Sequence, residues 1–281
     1  MHMITDSEVL WTSADRSGRI EWRCECPHCS KRKGDKTLSL NTRKRVGICH
    51  RCGWKVGGKP PEHFAAANVL DMERERNSRA FRFNQIRESI IPVSDGDLVA
   101  RYLCYRLGSR PPTLPRMGIS RAVRYYTGLA NYKTTPAMVG ALQDATGRCT
   151  GWHITHLSCD GQKAFGSDSR RYCKLHDLQG SAVRLYPATN TLIVTEGIET
   201  ALAWTLVTND PVWACTSASL LKTFVPPPEV KTLLIAADND KNGVGQQAAW
   251  ELRRRVRNQI DCEVMIPDRE NADWLDMLRG A

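Results

Sequence analysis

The sequence predicts an α/β protein in three parts: a small cysteine-rich ribbon in front, a mixed α+β basic subdomain, and a C-terminal parallel sheet flanked by helices. Three observations predict it. Five of the eleven cysteines crowd into residues 24–52. Net charge is +7 over residues 1–60, +7 over 61–190 and −4 over 191–281. From residue 191 onward, apolar β-branched runs alternate with helical patterns, the rhythm of parallel strands joined by crossover helices.

The ribbon occupies residues 1–57. Arg19–Cys24 and Thr37–Asn41 alternate polar and apolar residues, as half-buried strands do. Around them stand Cys26-Pro27-His28-Cys29 and, 19 residues later, Cys49-His50-Arg51-Cys52-Gly53. Each C-x-x-C turn presents two thiolates on one side of a tight knuckle. Two knuckles complete a tetrahedral sulfur site for Zn2+ with no open position, which makes the metal structural. Cys24, His28 and His50 are alternative ligands. So short a segment cannot fold on apolar burial alone, so metal binding is expected to drive its folding. Lys31, Arg32, Lys33, Lys36, Arg43, Lys44, Arg45, Arg51 and Lys55, with Trp22 and Trp54 among them, suit single-stranded nucleic acid, whose phosphates meet cations and whose bases stack on rings. A solvated basic face fits the same charges.

Gly57-Gly58-Lys59-Pro60-Pro61 breaks regular structure, and residues 58–93 read as a linker or a charged helix. The basic subdomain follows at 94–188. Ser94-Asp95 offers a cap for a helix carrying Leu98, Val99, Tyr102, Leu103 and Leu107, with Gly108 as its stop. Residues 121 to about 186 turn to strands: 138–144, a turn at Ala145-Thr146-Gly147-Arg148, then Cys149–Ser158 and a turn at Asp160-Gly161. Lys163, Arg170, Arg171, Lys174 and Arg184 fall in or after this meander.

In the C-terminal part, residues 189–281, strands are expected at Leu192–Thr195, Val212–Cys215, Val230–Ala237 and Glu263–Ile266. Helices are expected at Ile198–Val207, at Leu220-Leu221 and from Gly245 to Arg257. In such sheets the functional crevice lies beyond the carboxyl ends of the strands. Glu196, then Asp238 and Asp240, then Asp273 fall at or just beyond such ends. Asp238 and Asp240 are two apart, so on extended backbone they point the same way. Converging carboxylates repel, and a hard divalent cation such as Mg2+ relieves the repulsion. Capping and turn acids would share this spacing.

Thr195-Glu196-Gly197-Ile198-Glu199-Thr200-Ala201 and Ala237-Asp238-Asn239-Asp240-Lys241-Asn242-Gly243 together resemble the Toprim signature. The ribbon ahead of it resembles the front of bacterial, phage and plasmid primases. The stretch from Gly147-Arg148 to Lys174 is similar to the basic part of primase cores. Ala272-Asp273-Trp274-Leu275-Asp276 looks like the closing acidic motif of phage and plasmid Toprim proteins. The sequence departs from the usual bacterial ribbon in having Cys29 where that family often has His.

The resemblance to Toprim primases with a zinc ribbon covers nearly the whole chain. It implies a DNA primase, a nucleotidyltransferase. Glu196 becomes general base or metal ligand, Asp238 and Asp240 hold Mg2+ or Mn2+, and Asp273 is a further acid. Lys163, Arg171, Lys174 and Arg184 become a ridge for template or nucleoside triphosphate, and Arg43, Arg45 and Trp54 the single-stranded DNA contacts of the ribbon. No G-x-x-x-x-G-K-S/T stretch is present, so a replicative helicase is expected as a separate partner. A Toprim nuclease and a non-catalytic zinc/Toprim recombination mediator are the alternatives; a Toprim topoisomerase needs a strand-cleaving tyrosine in further domains.

Apolar residues make up 41% and charged residues 25%, which excludes a wholly disordered chain. No run of 18 apolar residues occurs, so no membrane partner is expected. MHMITDSEVLWTSADR has no apolar core, and eleven cysteines without a signal segment fit a reducing compartment. The expected location is the cytoplasm, that of a bacterial host if the chain is phage- or plasmid-encoded.

Overall fold

The computed structural model describes residues 6–17, 21–29, 34–57, 62–111, 115–128, 131–270, 272 and 274–279. They fall into two units, Met1–Ser78 and Arg79–Ala281.

The first unit is the ribbon. Strands β1 (Glu21–Cys24), β2 (Leu38–Asn41), β3 (Val46–Cys49) and β4 (Lys55–Gly57) form an antiparallel sheet in sequential order. Leu38 and Leu40 are buried while Ser39 and Asn41 are half-exposed, the alternation their sequence carries. A helix that the sequence reading did not anticipate, α1 (Asp6–Arg16), precedes the sheet. Its Trp11 and Ala14, three apart and therefore on one face, are buried with Leu38, Leu40, Val56, Cys26 and Cys49.

Across the expected linker runs a single helix, α2 (Glu62–Ser89). In its last part Phe83 stacks on Trp152 with ring centroids 4.9 Å apart, and the indole N–H donates to the Phe83 carbonyl at 3.1 Å. The charged composition hid this anchor.

After β5 (Ile90–Pro92) comes α3 (Leu98–Leu107). Its cap is Asp97, not the expected Ser94-Asp95. Gly96, at φ +78°, turns the chain so that the Asp97 carboxylate accepts from Ala100 N at 2.8 Å and from Ser94 N at 2.6 Å. Gly108, at φ +73°, ends the helix as the sequence predicts.

The remaining strands are β6 (Gly118–Gly128), β7 (Asn131–Gln143), β8 (Cys149–His156), β9 (Arg170–Lys174), β10 (Ala182–Arg184), β11 (Thr191–Thr195), β12 (Val212–Ala214), β13 (Thr232–Ala236) and β14 (Asp261–Met265). The helices between and after the last four are α4 (Ile198–Thr208), α5 (Ala218–Thr223), α6 (Val244–Val256) and α7 (Trp274–Arg279). Strands β5 to β14 belong to one ten-stranded sheet ordered β14-β13-β11-β12-β10-β7-β6-β5, with β8 and β9 extending from β7. The first four run parallel, and the others are antiparallel to their neighbours. The basic subdomain and the C-terminal part are therefore one sheet. Three-residue β10, pairing with both β7 and β12, joins them.

Strand order also places the helices. From β11 the chain steps to β12 on one side, then crosses back over β11 to β13 and on to β14. Right-handed crossovers put α4 on one face and α5 and α6 on the other. The contacts agree: α4 packs with α7, and α5 packs with α6. The reversal at β11 is a topological switch point, where a crevice opens beyond the strand ends. Among the described residues no helix is long and apolar enough to cross a membrane.

Candidate functional site

Two places in the chain gather chemistry. The first is in the ribbon. The sulfurs of Cys26, Cys29, Cys49 and Cys52 all lie within 4.8 Å of one another. Cys26 Sγ is 3.9 Å from Cys52 Sγ, and Cys29 Sγ is 3.5 Å from Cys49 Sγ. A tetrahedron with metal–sulfur legs of about 2.3 Å has edges of about 3.8 Å, so the four sulfurs fit a closed metal cage. Burial pushes the Cys29 thiol up to about 12, while amide donation from Cys52 and Arg51 pulls Cys49 down to about 6. Two of the three alternative ligands have other neighbours: the His50 ring bonds Ser39 Oγ at 2.8 Å, and the His28 ring lies parallel to Trp54 at 6.5 Å.

The second lies at the switch point. Glu196 follows β11, Asp238 follows β13, and the register pairs Thr195 with Ala236, which brings the two strand ends level. At the start of α6 sits buried Gly245. A Cβ built there would stand 3.3 Å from Glu196 Oε2, 3.4 Å from Asp240 Oδ2 and 3.5 Å from the Asp238 carbonyl oxygen. Two carboxylates from two strand ends thus converge on one bare backbone position, and glycine leaves them the room. The positive end of the helix dipole lies beside them. Glu196 Oε2 is buried without a hydrogen-bond partner among the described residues. Burial raises the Glu196 pKa, and the Asp240 charge raises it further; donation from Ala218 N–H and the nearby Arg170 charge oppose this.

Asp238 and Asp240 differ in burial. The strand ends at Ala236, so period-two alternation no longer applies. Asp238 is half-buried and Asp240 exposed, and at Gly245 Asp238 contributes its backbone oxygen. The cysteines are the only metal-ligand cluster of that tightness among the described residues. Asp273 lies outside them. Its neighbours hold the acidic loop: Asn239 N donates to Ala272 O at 3.0 Å, and Trp274 Nε1 to Ala237 O at 3.0 Å. Sequence reasoning also missed Gln246, whose amide donates to Asn239 Oδ1 at 2.9 Å and to Asp240 O at 3.0 Å.

Several expected basic residues are engaged elsewhere. Lys163 Nζ sits 2.7 Å from Glu199 Oε1, a buried carboxylate that also accepts from Tyr102. Burial alone would raise Glu199, but Lys163 and the Tyr102 hydroxyl hold it at about 2. A lone acid in the otherwise uncharged first turn of α4 was the only sequence signal of this pair. Arg184 lies 4.4 Å over the Trp213 ring and donates to the Asp144 carbonyl. Arg45 is buried, 2.7 Å from Asp15 Oδ2 and 5.2 Å over Trp11. Arg43 and Trp54 are half-buried, and Lys31, Arg32 and Lys33 lie outside the described residues.

Strand β9 sorts the rest by face. His153 pairs with Tyr172, and their rings meet edge to face at 5.5 Å. Arg170, Tyr172 and Lys174 therefore share one face, on which Arg170 acts electrostatically on Glu196. Arg171 points the other way, paired with Ile154 and helping burial to lower His156 to about 4. The pleat thus puts Arg171 on the opposite face of the strand from Arg170 and Lys174.

Residues 191–281 match the Toprim domain. The chain carries a Toprim domain. The stretch before it, residues 77–185, matches a domain of unknown function (DUF7146). The fold is similar to the zinc-binding and RNA polymerase domains of Aquifex aeolicus primase, at 12% identity over 99% of this chain and 83% of that one, with a TM-score of 0.48. It is also similar to the primase fragment of the bacteriophage T7 primase-helicase, at 13% identity, 91% and 94% coverage, and a TM-score of 0.40. The E. coli primase catalytic core matches at 15% identity, 72% and 69% coverage, and a TM-score of 0.39. No curated protein matches the chain. In the Toprim domain the acids stand where the strand order reverses, and the four-cysteine cage belongs to the separate ribbon unit.

Proposed function

We propose that this chain is a DNA primase, a nucleotidyltransferase that makes short primers on single-stranded DNA from nucleoside triphosphates. The observation that carries the reading is the meeting of Glu196 and Asp240 at Gly245, at the switch point of a Toprim sheet, with Arg170 nearby. A half-buried carboxylate with an unsatisfied oxygen, repelled by an exposed neighbouring carboxylate, is a group a divalent cation stabilises. Glu196, Asp238 and Asp240 hold Mg2+ or Mn2+ in this reading, and Asp273 is the further acid of the set. The cation, when bound, supplies the charge that activates a 3′-hydroxyl and neutralises a triphosphate.

The chain's own residues do the positioning. Glu196 and Asp240 present oxygens to one point. Asn239 and Gln246 fix the loop that carries Asp240. Arg170 and Lys174 offer an exposed cationic strand face to the phosphates of template or nucleotide. In the ribbon, Zn2+ in the four-cysteine cage plays a structural part and holds a surface that selects single-stranded DNA. A separate replicative helicase completes the set of partners. Four cysteines on zinc and seven further unbridged thiols suit a reducing cytoplasm.

The test is incorporation of labelled nucleotides on single-stranded DNA with Mg2+. Short template-directed products are expected. Asp238→Asn combined with Asp240→Asn should abolish them while leaving DNA binding mostly intact; full activity in that variant overturns the metal assignment. Plasmid cleavage without nucleotide consumption would point instead to a Toprim nuclease, and DNA binding with neither reaction to a recombination mediator.

A further inference from the structure

The loop between β12 and α5 contains a strained residue with an unusual support. Thr216 has φ +64°, in the left-handed region that β-branched side chains rarely adopt, and it is buried. It is fixed on both sides. Cys215 N donates to Thr195 O at 2.8 Å, and the Ser217 hydroxyl caps α5 by accepting from Leu220 N at 3.3 Å. Thr195, whose carbonyl the Cys215 N–H holds, is the residue before Glu196.

The support comes from the other end of the sheet. The Tyr172 hydroxyl donates to the Thr216 carbonyl at 2.9 Å, and Thr216 Oγ1 is a second acceptor 3.2 Å away. Tyr172 stands on β9 between Arg170 and Lys174, on the face they share.

We infer that Tyr172 is a positioning residue for the carboxylate site: its hydroxyl pins the strained Thr216 corner, and the corner, through the Cys215 N–H on the Thr195 carbonyl, holds the strand end that carries Glu196. Tyr172 thereby ties the cationic strand to the acid, so that phosphates held by Arg170 and Lys174 steady the strand that steadies Glu196. The inference rests on the reading of Glu196 as a metal ligand.

The test uses the full chain and Tyr172→Phe, which removes one oxygen and keeps the ring. Amide hydrogen exchange at Cys215, measured by NMR without divalent metal, should quicken about tenfold. Mn2+ binding, followed by electron paramagnetic resonance, should weaken about tenfold, the scale of losing a group that orients a ligand. Glycine adopts φ +64° without strain, so adding Thr216→Gly to Tyr172→Phe should restore Mn2+ affinity to within about twofold of the parent. A merely structural loss at Tyr172 is not repaired by removing atoms at Thr216.

Unchanged exchange or unchanged Mn2+ affinity in Tyr172→Phe overturns the inference, as does a double variant as weak as the single one. Glu196→Gln separates the two failures. If it weakens Mn2+ binding and Tyr172→Phe does not, only the inference falls. If Glu196→Gln binds Mn2+ as the parent does, the metal-ligand reading falls and takes the inference with it.

Discussion

The Lys163 ammonium lies 2.7 Å from Glu199 Oε1, joining the loop after β8 to the first turn of α4, three residues beyond Glu196. Tyr102 of α3 adds its hydroxyl to the same carboxylate. Three segments distant in sequence thus close around one buried charge. Removing one member of a buried pair leaves the other uncompensated. Lys163→Ala should cost about 3–5 kcal/mol in urea unfolding, whereas Lys163→Met with Glu199→Gln should cost much less than twice that.

The same pair predicts acid sensitivity. Glu199 titrates at about 2 in the folded chain, and about 4.3 is ordinary for an unfolded glutamate. Between those values the unfolded chain binds more protons, so stability rises with pH across the window. The contribution is complete above about pH 5 and disappears as pH falls toward 2. Glu199→Gln should flatten the pH dependence of chemical denaturation in that range.

Gly245→Ala separates stability from function. By helix propensity alone, alanine would stabilise α6 by about 0.5–1 kcal/mol. Its methyl group would stand 3.3 Å and 3.4 Å from the Glu196 and Asp240 oxygens, in the space where they converge. The expected result is an unfolding temperature no lower than the parent's, with Mg2+-dependent synthesis down about tenfold or more.

The cysteine cage predicts one zinc per chain by elemental analysis. Chelation should unfold the ribbon, because its few buried side chains cannot hold it alone. The sheet of residues 79–281 has its own extensive core and should keep its circular dichroism and melting transition. Loss of both together would sink the separation.

The pleat of β9 predicts unequal arginines. Arg170→Ala and Lys174→Ala should each reduce the salt slope of single-stranded DNA binding by about 1, as expected for a lost phosphate contact. Arg171→Ala, on the opposite face, should leave the slope nearly unchanged. Fluorescence anisotropy across a salt series reads all three.

Much of this was legible in the chain itself. Two C-x-x-C pairs 19 residues apart announce the sulfur cage, because ligand chemistry and knuckle geometry are local. The order of strands and helices after residue 191 is legible for the same reason: periodicity and caps act over a few residues. Other features were not. The stacking of Phe83 on Trp152 spans 69 residues, and charged helical surface surrounds it. Three-residue β10 is too short to carry a pattern, yet it fuses two expected subdomains into one sheet.

By itself, then, the sequence determined the cage, the strand–helix rhythm and which acids sit at strand ends, since residue type and spacing suffice for each. Only the tertiary structure decided which of those groups meet. It set Glu196 against Asp240 at Gly245, assigned Lys163 to Glu199, and turned Arg170 rather than Arg171 toward the acids. The physical reason is that a long-range contact depends on register, on the face a side chain takes and on where the strand ends, and one residue of difference reverses it.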